Sequence, residues 1–392
     1  MMGKRKKPSP YERMTAEEIS INSLKMLYLI GCALRNDAPD AGLQADLDEE
    51  KLYLIAKKHS LCAVTEYALR KFGFRCDSRI TDAAAQSIRK TVLMKHEREM
   101  LFAEWENAGI RYLPLKGIMM EELYPSIGLR EMSDNDILVD DANAQEVYRL
   151  MVSHGYDCKS YGKGHHDIYV KKPCYVFEIH RMMFDEDDNP DYAAYYSNVF
   201  EKTVTDGVHE YGYRMSWEDF YIYMILHAKV HFDLAGTGLR LLVDLLVFGD
   251  HFGDELDWSY IAGELKDLGA GDFEQELREI EETVFSWQPY ESFNNTLFDE
   301  IALSGTYGNY SNLLRSHFRA TSAEQGVAGK IRYFKYRFSV PEGILKKQFP
   351  FFYRHKALVP VLWVYRPLRK LIKRPSSIPK ELKALHSYTE KK

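Results

Sequence analysis

The chain predicts an α+β protein with an α/β core: a mixed sheet flanked by helical regions on its N-terminal and C-terminal sides. Three observations carry this. From Met14 to about Asn107 apolar residues recur at three- and four-residue spacing, as in Ile19-Leu24-Leu27-Ile30 and Leu52-Ile55-Ala56, the period of helices with one buried face. Between Ile110 and Tyr213 short apolar runs alternate with a helical stretch, as in a sheet domain. Beyond Ser216 the helical period returns and persists.

The elements follow in order. A long amphipathic stretch, Ala83 to Trp105, ends at Gly109, a residue that stops helices by adopting a left-handed conformation. Ile110 to Leu115 then reads as a short strand, Asn135-Asp136-Ile137-Leu138-Val139 as a second, Ala142 to His154 as a helix closed by Gly155, and Tyr175 to His180 as another strand. Trp217-Glu218-Asp219 opens a helix through His231, and further helical patterns occupy Leu239 to His251, Tyr260 to Leu268 and Phe273 to Ser286. The division this suggests is a helical region at 1–95, a core at 96–215, a helical region at 216–329 and a basic, aromatic tail at 330–392.

Composition narrows the class. At 392 residues and 45.7 kDa the chain has room for two or three compact units, and 45% hydrophobic with 28% charged residues excludes wholesale disorder. The net charge is −6, which argues against a protein that coats nucleic acid by charge alone. That average hides an asymmetry: residues 330–392 contain 17 Lys or Arg and three acids, a local +14 that leaves about −20 for the rest. Five scattered cysteines without a CxxC pair indicate neither a zinc ribbon nor a disulfide framework. The basic start Lys4-Arg5-Lys6-Lys7 has no apolar run behind it, and no uncharged stretch reaches the ~20 residues a membrane span needs, so a cytoplasmic location is expected.

The segment Leu113 to Val139 carries the chemistry. Asp134 and Asp136, two apart at the start of a strand, share one face, so their carboxylates can converge. The following Ile137-Leu138-Val139 is a buried strand, which puts the acids at its mouth. Lys116-Gly117 follows a short strand and opens a helix, a setting where backbone N–H groups and a cation hold phosphate. Glu178 lies between Phe177 and Ile179, where an apolar residue is expected. Three carboxylates beside a phosphate cradle suit Mg2+ (or Mn2+), a hard ion that relieves their repulsion and bridges a triphosphate.

This arrangement resembles the DNA polymerase β-like nucleotidyltransferase superfamily. More closely, Leu115-Lys116-Gly117, Tyr124-Pro125, Leu129-Arg130, Met132-Ser133-Asp134-x-Asp136, Glu178-Ile179-His180, Leu226-His227 and Leu239-Arg240-x3-Asp244 resemble an uncharacterised bacterial nucleotidyltransferase family, NTP_transf_5, over roughly residues 95–370. The resemblance implies a polymerase-β-like mixed sheet and transfer of an NMP from an NTP, ATP being the expected one, to an unidentified acceptor with two-metal Mg2+ catalysis. It implies that Asp134, Asp136 and Glu178 hold metal, Glu178 also accepting a proton, and that Lys116, Gly117, Arg130 and Ser133 face phosphate. His180, His227, Arg240 and Asp244 follow as second-rank ligand contacts. The chain departs from the superfamily at Gly117, which precedes Ile118 rather than a small hydroxyl residue and lies 17 residues before Asp134.

Plainer roles stand beside these. Glu178 can pair with Arg181, Arg130 can be a structural salt bridge, and Arg240 with Asp244 can be a helix i,i+4 pair. His165-His166 and His180 could hold zinc, but no Cys or further His comes at ligand spacing, so contact with substrate or with Glu178 is the stronger expectation. His227 and His231 have the i,i+4 spacing of a zinc pair without the Glu of H-E-x-x-H. The 330–392 tail interleaves aromatics with cations, which suits RNA contact, an anionic membrane surface, or packing on the acidic body. Two other functional classes are a catalytically inactive nucleotide- or RNA-binding protein on the same fold and a peripheral membrane protein held by the tail.

Overall fold

The computed structural model describes residues 10–186, 189–234, 236–286, 295–306 and 350–362, with residues 293 and 345. The chain opens with a short helix α1 (Pro10–Arg13) and the long α2 (Ala16–Arg35), whose start is a capping box. The Thr15 hydroxyl accepts from Glu18 N–H, and the Glu18 carboxylate accepts from Thr15 N–H at 2.8 Å. A short α3 (Leu43–Asp46) leads to α4 (Glu49–His59) and α5 (Cys62–Lys71), and then to the 30-residue α6 (Ser78–Asn107). The amphipathic stretch thus starts five residues earlier than its apolar pattern, because Asp77 caps it by accepting from Arg79 N–H.

The sheet begins with β1 (Tyr112–Pro114), a short α7 (Gly117–Glu121) and β2 (Asn135–Val139). After α8 (Ala144–Ser153) come β3 (Asp157–Ser160), β4 (His166–Lys171) and β5 (Tyr175–His180). Their order is β1-β2-β5-β4-β3; β2 and β5 run parallel and every other neighbouring pair is antiparallel. The sheet is therefore mixed, as expected. Pro114 sits in an edge strand, where a missing N–H costs no ladder bond.

Alternation along the strands gives the sheet two different faces. Ile137, Val139, Phe177 and Ile179 pack with Met94, Leu101, Phe102 and Trp105 of α6 and with Val147 and Met151 of α8. Leu113 and Leu138, on the opposite face, join the larger core. That core also takes residues from α2, α4 and α5 and from five later helices: α10 (Trp217–Leu234), α11 (Arg240–Phe252), α12 (Trp258–Asp267), α13 (Gly271–Phe285) and α14 (Thr296–Ser304). A short α9 (Pro190–Tyr195) and a two-stranded ribbon, Val204–Thr205 with Tyr213–Arg214, precede them.

Helices far apart in the chain meet closely here. A Cβ on Gly31 of α2 would lie 2.7 Å from Phe285 Cδ1 of α13, so the missing side chain lets the ring sit on the helix backbone. His59, fully buried, donates from Nε2 to Ala302 O at 3.0 Å and accepts Leu239 N–H on Nδ1 at 3.0 Å, joining α4 to α14 and to the start of α11. No helix among the described residues is long and apolar enough to cross a membrane. Of the 330–392 tail, only residues 345 and 350–362 are described, including a short helix Pro350–Arg354; its other aromatic and basic clusters lie outside the described residues.

Candidate active site

The site is built where β2 begins. Asn135, fully buried, accepts from Arg98 Nη1 at 2.8 Å, and Arg98 also pairs with Glu121, so α6, α7 and the start of β2 are locked together. Asp136 then points to the opposite face, toward α10. Its Cα partner across the parallel ladder is Glu178, which brings two carboxylates side by side from segments 42 residues apart. Asp134 precedes the strand at its mouth, and Lys90 of α6 fixes that turn by donating to the Met132 and Ser133 carbonyls, both at 2.8 Å.

Lys116 supplies the cation. Leu115 N–H donates to Asp136 O at 2.9 Å, which ties the loop to β2, and Lys116 adopts φ 37° and ψ −106°, a left-handed backbone unusual for a residue with a side chain. In that conformation its Nζ lies 3.4 Å from Asp136 Oδ1. His180, two residues beyond Glu178 and 2% exposed, brings Nε2 to 2.9 Å from the same oxygen.

Charge is distributed unevenly over the three acids. Burial works against ionisation of Asp136, yet Lys116 and His180 overcome it and hold the carboxyl well below the usual carboxylate range. Asp134 is pushed up by burial and then by Asp136. Glu178 is pushed up to about 7, first by burial and then by the Asp136 and Asp134 carboxylates. Its expected partner Arg181 is bound elsewhere, to Asp167 at 2.6 Å and Asp141 at 3.2 Å. Glu178 therefore keeps a carboxylate facing other acids, the situation a divalent cation relieves.

Two groups of side chains among the described residues each bring their ligand atoms within 4.8 Å of one another: Asp136 with Glu178 and His180, and His165 with His166 and His180. Asp134 is in neither group. The structure thus assembles two acids and a histidine, with Asp134 beside them. From above, α10 adds Tyr223, whose buried hydroxyl has no hydrogen-bond partner and is driven up by burial and then by Asp136 and Glu178. One turn later His227 is kept neutral by burial, and its Nε2 lies 2.9 Å from Nε2 of His231.

The remaining candidates form a different object. Arg130, 7% exposed, donates from Nε and Nη2 to the two oxygens of Asp244, each at 2.8 Å, and Tyr124 OH donates to Asp244 Oδ1 at 2.8 Å. A Cβ on Gly117 would meet Met132 Sδ at 2.6 Å and Arg130 Nη1 at 2.7 Å, so the room left by this glycine is filled by side chains. Arg240 donates to Glu131 O at 2.7 Å and offsets part of the upward push on Asp134, which places its charge near the site mouth. Ser133 contributes its carbonyl to Lys90.

Sequence reasoning missed Lys90 and Tyr223, and it found no ligand spacing around His165 and His166 because β4 was not anticipated. The signal was present: His166, Ile168 and Val170 alternate with Asp167, Tyr169 and Lys171.

No curated protein and no solved structure matches the chain. The family described as "uncharacterised nucleotidyltransferase" (NTP_transf_5) matches residues 45–285. That span starts within the N-terminal helices and stops before the tail, where the motifs alone suggested 95–370. It takes in every acid, cation and histidine placed around β2 and β5, and it is more than half of the chain, which belongs to this nucleotidyltransferase family.

Proposed function

We propose that the protein transfers an NMP from an NTP, ATP being the expected donor, to an acceptor hydroxyl or amine at the Asp134, Asp136 and Glu178 site. The observation that carries this reading is the in-register pairing of Asp136 with Glu178 on parallel strands. A Mg2+ or Mn2+ pair fits these residues, because Asp136 and Glu178 bring carboxylate oxygens within 4.8 Å of each other, and burial followed by the neighbouring carboxylates pushes Glu178 up to about 7. When bound, such ions would offset charge developing on the phosphates.

The chain's own groups do the rest. Glu178, with a pKa near neutrality, takes the proton from the acceptor hydroxyl as its oxygen attacks the α-phosphorus; the bond from that phosphorus to the bridging oxygen breaks, and pyrophosphate leaves. Lys116, held over Asp136, supplies positive charge for the triphosphate. Arg240 stands at the mouth for the same purpose, while Arg130 and Asp244 set the position of the Lys116-Gly117 turn. Tyr223 and His227 line the side toward α10, consistent with a helical region that covers the nucleotide.

The test is incubation with labelled NTPs, Mg2+ and cell extract, comparing the wild type with Asp134→Ala/Asp136→Ala. Label transfer and pyrophosphate release by the wild type alone support the reading. Equal transfer by both chains overturns it, and nucleotide binding without pyrophosphate release by either shows an inactive binding protein.

A further inference from the structure

The acids, Lys116 and the α10 cover are all used by nucleotidyl transfer, but His165 and His166 are not. His165 immediately precedes β4, and its carbonyl accepts Arg181 N–H at 2.9 Å, which pins it beside the end of β5. His166 is the Cα partner of His180 across the antiparallel β4–β5 ladder. The three rings form a tight triangle, with centroids 4.4 Å apart for His165 and His166, 5.5 Å for His165 and His180, and 5.1 Å for His166 and His180. His166 Nδ1 lies 3.0 Å from His165 Nε2, and one ring nitrogen from each residue falls within 4.8 Å of the others.

His59 shows what a structural histidine looks like in this fold: both of its ring nitrogens are bonded to the backbone. The triangle differs. His180 keeps Nε2 on the Asp136 carboxylate, while its buried Nδ1 makes no well-formed hydrogen bond and has only the Met182 backbone near it. His166 Nε2 is 3.6 Å from Glu178 Oε2, outside hydrogen-bonding distance. Buried polar atoms are normally satisfied, and an imidazole cluster that leaves one unsatisfied is short of a partner.

We propose that His165, His166 and His180 form an imidazole site for a first-row divalent transition metal, Zn2+ being the probe, distinct from the carboxylate site for Mg2+. Metal–nitrogen bonds of about 2.0–2.1 Å place tetrahedral ligand nitrogens roughly 3.3 Å apart, so nitrogens now within 4.8 Å of one another must draw together by up to about 1.5 Å. Imidazole donors favour zinc, copper or nickel, whereas carboxylate and water favour magnesium. The Asp136 carboxylate on His180 is the outer partner that orients a metal-bound imidazole. Through that contact the metal would be coupled to the acid at the centre of the nucleotidyltransferase site. The site does not depend on the nucleotidyl-transfer reading.

The experiment measures metal, not transfer. The full chain is stripped with chelator, equilibrated with Zn2+ in millimolar Mg2+, desalted and assayed for bound zinc. The wild type is expected to retain about one zinc per chain, held by three imidazoles with the fourth tetrahedral position left to water. His165→Ala/His166→Ala is expected to weaken binding more than about 100-fold, beyond the ~10–100-fold typical of losing an outer partner. Circular dichroism checks its folding, and His165→Gln, a single change, must also weaken binding at least about 10-fold. Asp134→Asn and His227→Ala/His231→Ala must keep the zinc. No zinc retained over Mg2+, retention unchanged by the His165 and His166 variants, or loss that follows His227 and His231 instead each overturns the proposal. Loss of transfer in Asp134→Asn with zinc intact separates this site from the catalytic one.

Discussion

Arg130 and Asp244 form a two-point ion pair across 114 residues of chain, with Nε and Nη2 each 2.8 Å from a carboxylate oxygen and both residues 7% exposed. The carboxylate holds the guanidinium charge, so the pair is a clip between the Lys116-Gly117 turn and α11. Removing one partner strands a buried charge. Asp244→Ala is expected to lower stability by about 3–5 kcal/mol in chemical denaturation, and the double variant Arg130→Met/Asp244→Leu to recover most of that loss, since an apolar pair of similar volume replaces the ions. A single variant as stable as wild type would show that the clip does not hold the turn.

Glu178 is assigned both proton acceptance and metal binding, and without metal, burial and the neighbouring carboxylates push its carboxyl up to about 7. Glu178→Gln should reduce kcat by about 10²–10⁴-fold, the usual contribution of a positioned base. Below about pH 7 protons compete with the cation for this carboxylate. Affinity for Mg2+ or Mn2+ should therefore rise by up to about tenfold per pH unit as pH increases toward 7, then level off. Isothermal titration at several pH values checks the slope, and Glu178→Gln should flatten it.

Lys116 carries a left-handed backbone at the point where its side chain meets Asp136. Such a conformation costs a non-glycine residue about 1–3 kcal/mol, against about 0.5–1 kcal/mol for the extra freedom of glycine when unfolded. Lys116→Gly should therefore be at least as stable as the wild type while losing NTP affinity and transfer. Lys116→Ala should lose both the charge and any relief of strain. Thermal melts paired with nucleotide titrations separate the two effects, and a drop in Tm for the glycine variant would sink the strain argument.

His59 is matched to its neutral form. Nε2–H meets a carbonyl and Nδ1 meets an N–H, so a proton on Nδ1 would face another donor, and burial pushes the ring down to about 3 from 6.5. With the folded pKa depressed, the unfolded chain takes up a proton first as pH falls. This contribution to stability is complete above about 6.5 and is lost toward about 3, at roughly 1.4 kcal/mol per pH unit. Between those limits the denaturation midpoint of the wild type should fall more steeply with decreasing pH than that of His59→Gln, so any advantage of the wild type near neutral pH narrows on the acid side.

The strands that bear the acids, Asn135–Val139 and Tyr175–His180, were legible to the residue because each holds an unbroken apolar run, Ile137-Leu138-Val139 and Tyr175-Val176-Phe177, rich in β-branched or aromatic side chains. The long α6 and the later helices were legible to within a few residues. β4 was not: its start is masked by Gly162-Lys163-Gly164, and one of its faces sets Asp167 and Lys171 around a lone apolar ring, Tyr169. Without β4, nothing in the sequence brings His165 and His166 to His180. The Arg130–Asp244 pair left no local signal either, since Asp244 has an arginine one helical turn away that looked like its partner. Arg181 likewise neighbours Glu178 in sequence but turns to Asp167, because strand geometry sends residues an odd number apart to opposite faces.

The β4–β5 hairpin holds more than a share of the sheet. Within the sixteen residues from His165 to His180 it carries Glu178 and all three imidazoles of the triangle, closed by its own ladder. Asp136 resides on a separate strand anchored through Asn135 by Arg98, with Asp134 just before it. The centre is thus split into a fixed half and an exchangeable cassette: grafting one contiguous hairpin would rewrite the donor set from oxygen alone to oxygen and nitrogen, while the aspartate strand and its anchor stay untouched.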